Sequence, residues 1–576
     1  SRSSVLSARA ETVITAGIRP ELFDRRGLLS VRSRTWLLAA LFIITIMGFG
    51  FRATGLSAEG LSEDELNKLQ AVDEYRRNGL SSVNGEHPML MKALMTVSIV
   101  AAEQWNASPL AAGNPSMQVS VETALRLPVT IFGAATSLLI FLLVSELFGT
   151  EVALISAALW ALDPTAISFN RIAKEDTFLL FFFLLANVFW LKSQRVAEAG
   201  KRSPEPLYWA TAASYGAMMA SKYMPHLMAV GVSYYYIFQG IPATQWRMGK
   251  KRFFIFFIVM GVVFLICNPT ILLPGTWHEM RVFAGEKRIG HGSYEYMGSL
   301  YLNQMSLWLK GMPWHFYYVF MGVKLPLVTV ASFLVGLPLL FRKRLGDGRY
   351  FLFFWLLFWF MPFTVMGGKY TRYFTTALPL VLIIAAIGLH FLAQFLERTL
   401  SNAFKNEKAG AMARAGLIVF ALFAVGVSAT TAQPYYRLYT NAVGASLAEV
   451  GSYFPHDEFY DASVRDAARE VARIARPGAR VASETPGLFE HYARLAGRSD
   501  LSFIWLSDEE ALRQLSPGDI VIVARGRRYL TNDAYTSSLE KTSAPAATLS
   551  LGEVPSVKIY VLNQAGLDAV AGNIGR

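Results

Sequence analysis

Eleven long apolar runs constrain this chain more than any other feature. They lie near residues 35–52, 127–147, 152–169, 177–192, 207–221, 224–240, 253–272, 325–341, 350–366, 378–396 and 415–432. A bilayer core takes about 20 apolar residues of helix, so the shorter runs need their flanks to span. Backbone in hydrocarbon must satisfy its own hydrogen bonds, which selects helices. Charged residues are only 17% of the 576, against about 25% in an ordinary soluble domain. The fold class expected is a polytopic α-helical membrane protein. The first run has no small-residue cleavage site and is expected to stay as a span. A lone cysteine, Cys267, excludes an internal disulfide and a cysteine zinc cluster.

Orientation follows from the basic residues. The arm 1–34 carries Arg2, Arg9, Arg19, Arg25, Arg26, Arg32 and Arg34. Lys192, Arg195, Lys201 and Arg202 follow the fourth run, and Arg247, Lys250, Lys251 and Arg252 the sixth. Arg342, Lys343, Arg344 and Arg349 follow the eighth, and Arg398, Lys405, Lys408 and Arg414 the tenth. With eleven crossings, all of these fall on one side, the cytoplasm. The formal charge of +12 is then mostly topological, and no nucleic acid partner is needed to explain it.

The opposite, extracytoplasmic side receives two long segments, about 53–125 and 273–324, and the tail 433–576. Leu66, Leu69, Val72 and Tyr75 repeat at helical spacing, and residues 305–320 are rich in Trp and Tyr. Both stretches read as helices on the membrane surface. The tail reads as an α/β domain. Helices are expected at 461–475, 489–496 and 508–515, and strands at 479–483, 520–524 and 557–562. That alternation predicts a small, largely parallel sheet. It carries no glycine-rich phosphate loop, and no catalytic site of its own is expected there; it is a candidate surface for a protein partner.

Five polar segments share the outer surface in this scheme. They are Ser62-Glu63-Asp64-Glu65, Gly85-Glu86-His87-Pro88-Met89-Leu90-Met91-Lys92, Asn170-Arg171-Ile172-Ala173-Lys174-Glu175-Asp176, Ser221-Lys222-Tyr223, and Gly367-Gly368-Lys369-Tyr370-Thr371-Arg372-Tyr373. The stretch 86–94 resembles the "HPPL–K" region of protein O-mannosyltransferases. Ala124-Leu125-Arg126-Leu127-Pro128, with Glu146-Leu147-Phe148-Gly149 after it, is similar to the same family. So are residues 170–183, His291-Gly292, Gly298, and Trp314 to Lys324-Leu325-Pro326. The resemblance covers most of 35–395 and extends to the aminoarabinose transferases that modify lipid A. Met89 replaces a usual second proline, and Glu175 stands where proline often precedes the aspartate. The resemblance implies a GT-C fold, a sugar donor carried on polyprenyl phosphate, and a catalytic aspartate on the first outer loop.

Those residue types suit that chemistry. Transfer from a lipid phosphate to a hydroxyl needs a base for the acceptor proton. It also needs positive charge on the departing phosphate. An acceptor on the face opposite the phosphate inverts the anomeric centre. Asp64 is the candidate base, with Glu65 and Asp176 the other candidate catalytic carboxylates. Against this, Ser62 and Glu65 match a capping box, and an acidic first turn favours the helix dipole. Lys222 and Arg372 are the first candidates for donor phosphate, followed by Lys92, Arg126 and Lys369; snorkelling at the interface is the plain alternative. Glu86, His87 and His291 are candidate ligands for a divalent metal ion. Trp308, Trp314, Tyr317 and Tyr318 suit either a sugar or lipid groove or interfacial anchoring. Asp457 and Glu458 read as caps of the first tail helix. A transporter or flippase is the competing function, but such proteins place charge at the midplane of repeated halves, and no repeat is visible here. A scaffold whose tail recruits partners is a third reading. The expected setting is a bacterial inner membrane.

Overall fold

The structure, a computed structural model, describes residues 31–238, 245–285 and 292–574. Every expected apolar run is mostly helical over its described part, with 152–169 broken at Asp163 and 253–272 at Asn268. The helices are α1 (Val31–Ala53), α2 (Glu63–Asn78), α3 (Leu90–Asn106), α4 (Val121–Leu147), α5 (Thr150–Leu162), α6 (Pro164–Phe169), α7 (Asp176–Ala199) and α8 (Glu205–Ser221). They continue with α9 (Met228–Phe238), α10 (Lys250–Cys267), α11 (Pro274–Gly285), α12 (Phe316–Lys324), α13 (Leu327–Leu339), α14 (Gly348–Val365), α15 (Leu378–Phe404) and α16 (Glu407–Ala432). Among the described residues six, α1, α4, α7, α14, α15 and α16, are long and apolar enough to cross a membrane. The chain is a polytopic α-helical membrane protein with a small C-terminal α/β domain.

Helix packing follows from local chemistry. Helices α13 and α15 meet at Gly336 and Gly388. A Cβ at Gly336 would stand 1.9 Å from the Ile384 carbonyl oxygen, and one at Gly388 1.9 Å from that of Ser332. Small residues let the two backbones touch, the usual basis of helix association in a bilayer. Trp160, Trp355 and Trp359 fill the core. The ends of α4, α5, α7, α15 and α16 that carry the basic residues are tied together. Arg195 pairs with Glu146 at 2.5 Å, and Arg414 pairs with both Glu151 and Glu397.

At the other end, buried arginines hold the outer segments still. Arg52 donates to the carbonyls of Gly48, Trp160 and Ala161 and to Asn170 Oδ1. Arg171 returns the clamp, donating to the carbonyls of Phe51, Arg52, Thr54 and Gly55. Several of these bonds, such as those to Trp160 and Ala161 at the end of α5, satisfy carbonyls at a helix end. The loop after Asn170 and the segment before α2 are thereby fixed to each other.

The surface stretch expected as one helix over 305–320 is two elements. A 3₁₀ turn, Met305–Lys310, and α12 are separated by Gly311 and Pro313, where proline removes a donor and bends the chain.

The C-terminal domain departs from a largely parallel sheet. After a hairpin, β1 (Ser293–Tyr296) and β2 (Ser299–Leu302), come β3 (Arg480–Ser483), β4 (Ser502–Trp505), β5 (Ile520–Ala524), β6 (Ala547–Leu551) and β7 (Val554–Val561), in the order β4-β3-β5-β7-β6. Pairs β3–β4 and β3–β5 are parallel, but β5–β7 and β6–β7 are antiparallel. Strands β6 and β7 form a hairpin turned by Gly552 at φ +61°, a conformation glycine adopts without cost to its side chain.

The domain is bolted to the outer segments. Lys324 pairs with Glu458, Arg437 with Glu59, Arg465 with Glu122 at 3.3 Å, and Arg527 with Glu63 at 3.2 Å. Glu458 does cap the short helix Pro455–Phe459, its Oε2 accepting the Phe454 N–H at 2.8 Å, but both carboxylates, Asp457 and Glu458, also reach further. Asp457 accepts from Tyr294 and from the Thr371 N–H, at 2.6 and 2.8 Å, and Glu458 neutralises buried Lys324.

Candidate active site

A cleft of about 1020 Å³ lies between the outer segments and the C-terminal domain. All five polar segments reach it with charged side chains, the fifth through Arg372 beside Tyr370 and Tyr373. Helix α2 starts at its wall because Ser62 caps it. The Ser62 side chain accepts from the Glu65 N–H, and Glu65 Oε2 accepts from the Ser62 N–H at 2.9 Å. This capping box leaves Asp64, one residue before Glu65, facing the cleft.

Asp64 Oδ2 receives two bonds, from Lys174 Nζ at 2.6 Å and from the Tyr460 hydroxyl at 2.6 Å. Its side chain keeps 35% of its surface accessible. Burial alone would raise the Asp64 pKa, but Lys174, Arg372 and Lys68 outweigh it and hold the carboxyl well below its ordinary value. Asp64 is therefore ionised and able to accept a proton.

Behind Asp64 lies a second buried ion pair, Lys68 with Glu175 at 2.8 Å. His87 Nδ1 stands 3.4 Å from Glu175, and His87 Nε2 stands 4.0 Å from Glu86. Burial pushes the His87 imidazole well below its usual pKa despite Glu175, so it is neutral. Among the described residues, no three His, Cys, Asp or Glu side chains converge as a metal-binding group; His291 lies outside them.

Two further cations line the cleft, Lys222 and Arg372. Lys222 Nζ binds Asp176 Oδ1 at 2.6 Å and sits 5.1 Å from the centre of the Tyr373 ring. Asp176 thus anchors a cation, and its Oδ2 is buried without a hydrogen-bond partner among the described residues. Arg372 stacks on Tyr370 at 4.3 Å and lies 3.8 Å from Asp457. Its Nη1 is buried with no hydrogen-bond partner among the described residues. Met224, Met280 and Phe283 give the same cleft apolar lining.

Four sequence candidates serve the fold instead. Glu65 is 1% exposed and accepts from Arg126 Nε and Nη2 at 2.8 and 2.6 Å and from the Ala173 N–H at 2.9 Å. Arg126 spends its remaining donors on the carbonyls of Leu56, Glu59 and Gly60. Lys92 donates to the carbonyls of Asn84 and His87. Lys369 donates to those of Met312, Thr364 and Met366. None of the four lines the cleft. Trp308 and Trp314 are exposed, Tyr317 is buried against Trp359, and Tyr318 bonds Thr364.

Sequence reasoning missed the contribution of the tail. Tyr460, Asp461, Arg527, Tyr529 and His456 all line the cleft. Arg527 holds Asp461 and reaches Glu63. Glu63 has its pKa raised to about 7 by burial, with Arg527 opposing.

A family match covers part of this site. Residues 116–272 match the model of the dolichyl-phosphate-mannose-protein mannosyltransferase family. The matched stretch contains Arg126, Lys174, Glu175, Asp176 and Lys222, and it names the same family as the motifs. No curated protein matches by sequence. Among solved structures, the chain is similar to ArnT from Cupriavidus metallidurans in the apo state, at 13% identity, 95% coverage of this chain and 100% of that one, with a TM-score of 0.48. It is similar to the Archaeoglobus fulgidus oligosaccharyltransferase in the apo form at 12% identity, 86% and 70% coverage, TM-score 0.49. The S. cerevisiae Pmt1-Pmt2 complex bound to the sugar donor matches at 16% identity over 47% of this chain and 36% of that one, TM-score 0.31.

Proposed function

We propose that this chain is an integral membrane glycosyltransferase that moves a sugar from a polyprenyl-phosphate carrier to an acceptor hydroxyl on the extracytoplasmic side. The observation that supports it most is one cleft lined both by an ionised carboxylate, Asp64, and by two cations, Lys222 and Arg372. The family match over 116–272 points to the same donor class.

In this reading the donor phosphate sits against Lys222 and Arg372, with its lipid tail leaving past Met224, Met280 and Phe283. The acceptor oxygen attacks the anomeric carbon from the opposite face. Its proton passes to Asp64, the new C–O bond forms, and the bond from the anomeric carbon to the phosphate oxygen breaks. The electron pair leaves on polyprenyl phosphate, where the two cations stabilise it. Attack opposite the leaving group inverts the sugar. Asp176 holds Lys222 in place.

Removing either cation should weaken donor use more than protein folding. Lys222→Ala or Arg372→Ala is expected to raise the donor KM about tenfold or more, since each loses a charge-assisted contact. A donor KM unchanged in both variants would remove the phosphate from these two cations.

The same reading places the cleft and the C-terminal domain outside and the arm 1–34 in the cytoplasm of a plasma membrane, because the basic segments gather at the opposite helix ends. Reporter fusions after Arg252 and after Arg576 should therefore report opposite sides. Both on one side would overturn this orientation.

A further inference from the structure

The turn that joins the C-terminal domain to the cleft is built in an unusual way. At the end of the short helix Pro455–Phe459, Tyr460 and Asp461 both take left-handed backbone conformations, with φ of 42° and 62°. Neither is glycine, so the surrounding contacts must hold them there. Three of those contacts reach the first turn of α2. Asp461 Oδ2 accepts the Glu63 N–H at 3.1 Å, and Arg527 bridges Asp461 and Glu63. The Tyr460 hydroxyl donates to Asp64 Oδ2 at 2.6 Å.

Both bonds to Asp64 thus fall on one oxygen. Lys174 and Tyr460 take Oδ2, and among the described residues no hydrogen bond reaches Oδ1. A carboxylate held by one oxygen cannot rotate about its last bond, so the other oxygen keeps a fixed direction. The ring of Tyr460 is itself fixed, 5.3 Å from the Arg437 guanidinium and 5.9 Å from that of Arg372.

We infer that Tyr460 is a positioning residue of the C-terminal domain, which fixes Asp64 through Oδ2 so that Oδ1 takes the acceptor proton. The inference rests on Asp64 being the base. It makes the C-terminal domain part of the catalytic machinery: the site is incomplete until that domain docks on α2.

Tyr460→Phe in the full chain tests this, because it removes only the hydroxyl and keeps the ring between the two arginines. The expected result is a fall in kcat of about 10- to 100-fold, the scale of a misplaced reacting group, with the donor KM within about twofold of wild type. The acid limb of kcat against pH should also move to higher pH, since the lost bond was donated to the ionised form. A role in folding alone would move neither the kcat of the folded protein nor that limb. Wild-type kcat and an unmoved acid limb in Tyr460→Phe, with transfer lost in Asp64→Asn, would overturn the positioning role alone. Full transfer by Asp64→Asn would overturn the base and this inference together.

Discussion

Asp64→Asn is expected to lower glycosyl transfer by about 10²- to 10⁴-fold, the usual cost of losing a general base. Asparagine keeps the shape of the side chain and an oxygen for Lys174 and Tyr460. What it loses is the ability to take a proton. The substitution also leaves the Lys174 charge without its partner at 2.6 Å, but Asp64 is open to the cleft, so water replaces part of that contact. The variant should therefore insert, fold and bind donor while failing in the chemical step. Single-turnover transfer at saturating donor measures that step directly. Wild-type rates in Asp64→Asn would mean that another group takes the proton.

The second large effect falls one residue away and is of a different kind. Glu65→Gln is expected to destabilise the protein by about 3–5 kcal/mol, because it strips the charge from one member of a buried ion pair. Sequence alone assigned Glu65 a cap, whose loss costs about 1 kcal/mol. The structure adds Arg126 on both carboxylate oxygens and the Ala173 N–H. Gln offers Arg126 a single carbonyl oxygen and turns a second donor toward Arg126 or Ser62. The loosened segment would be 56–65, which Arg126 holds through three carbonyls. Thermal unfolding in detergent measures the loss; a cost of about 1 kcal/mol would show that the cap alone matters. The pair Asp64→Asn and Glu65→Gln thus separates chemistry from scaffold in adjacent carboxylates.

How much of this was legible in the sequence differs by the range of the interaction. The apolar runs gave helices because bilayer helices are decided by local composition. The capping box at Ser62 and Glu65 was legible for the same reason. The convergence of Asp64, Glu86, Asp176, Lys222 and Arg372 was expected from the eleven-crossing scheme, and all five line one cleft. The partners of each charge were not legible. Arg126 and Lys222 looked alike as cations at span ends, yet one is sealed against Glu65, 61 residues away, and the other faces the cleft. Tyr460 and Asp64 meet across 396 residues of sequence, a separation no local pattern encodes. The mixed sheet was nearer to reach. Ala547-Thr548-Leu549-Ser550-Leu551 alternates before Gly552-Glu553 and a second apolar run, which is a hairpin signal.

The central claim is that this cleft takes sugar from a polyprenyl-phosphate carrier with Asp64 as base. Membranes containing the wild-type or the Asp64→Asn protein would be supplied with a panel of labelled polyprenyl-phosphate sugars, and label followed from the carrier into lipid, glycan and protein fractions. The expected result is that label leaves at least one carrier in wild-type membranes and stays on it in Asp64→Asn membranes. Equal label transfer by the two proteins across the whole panel, or none by either, would contradict the claim.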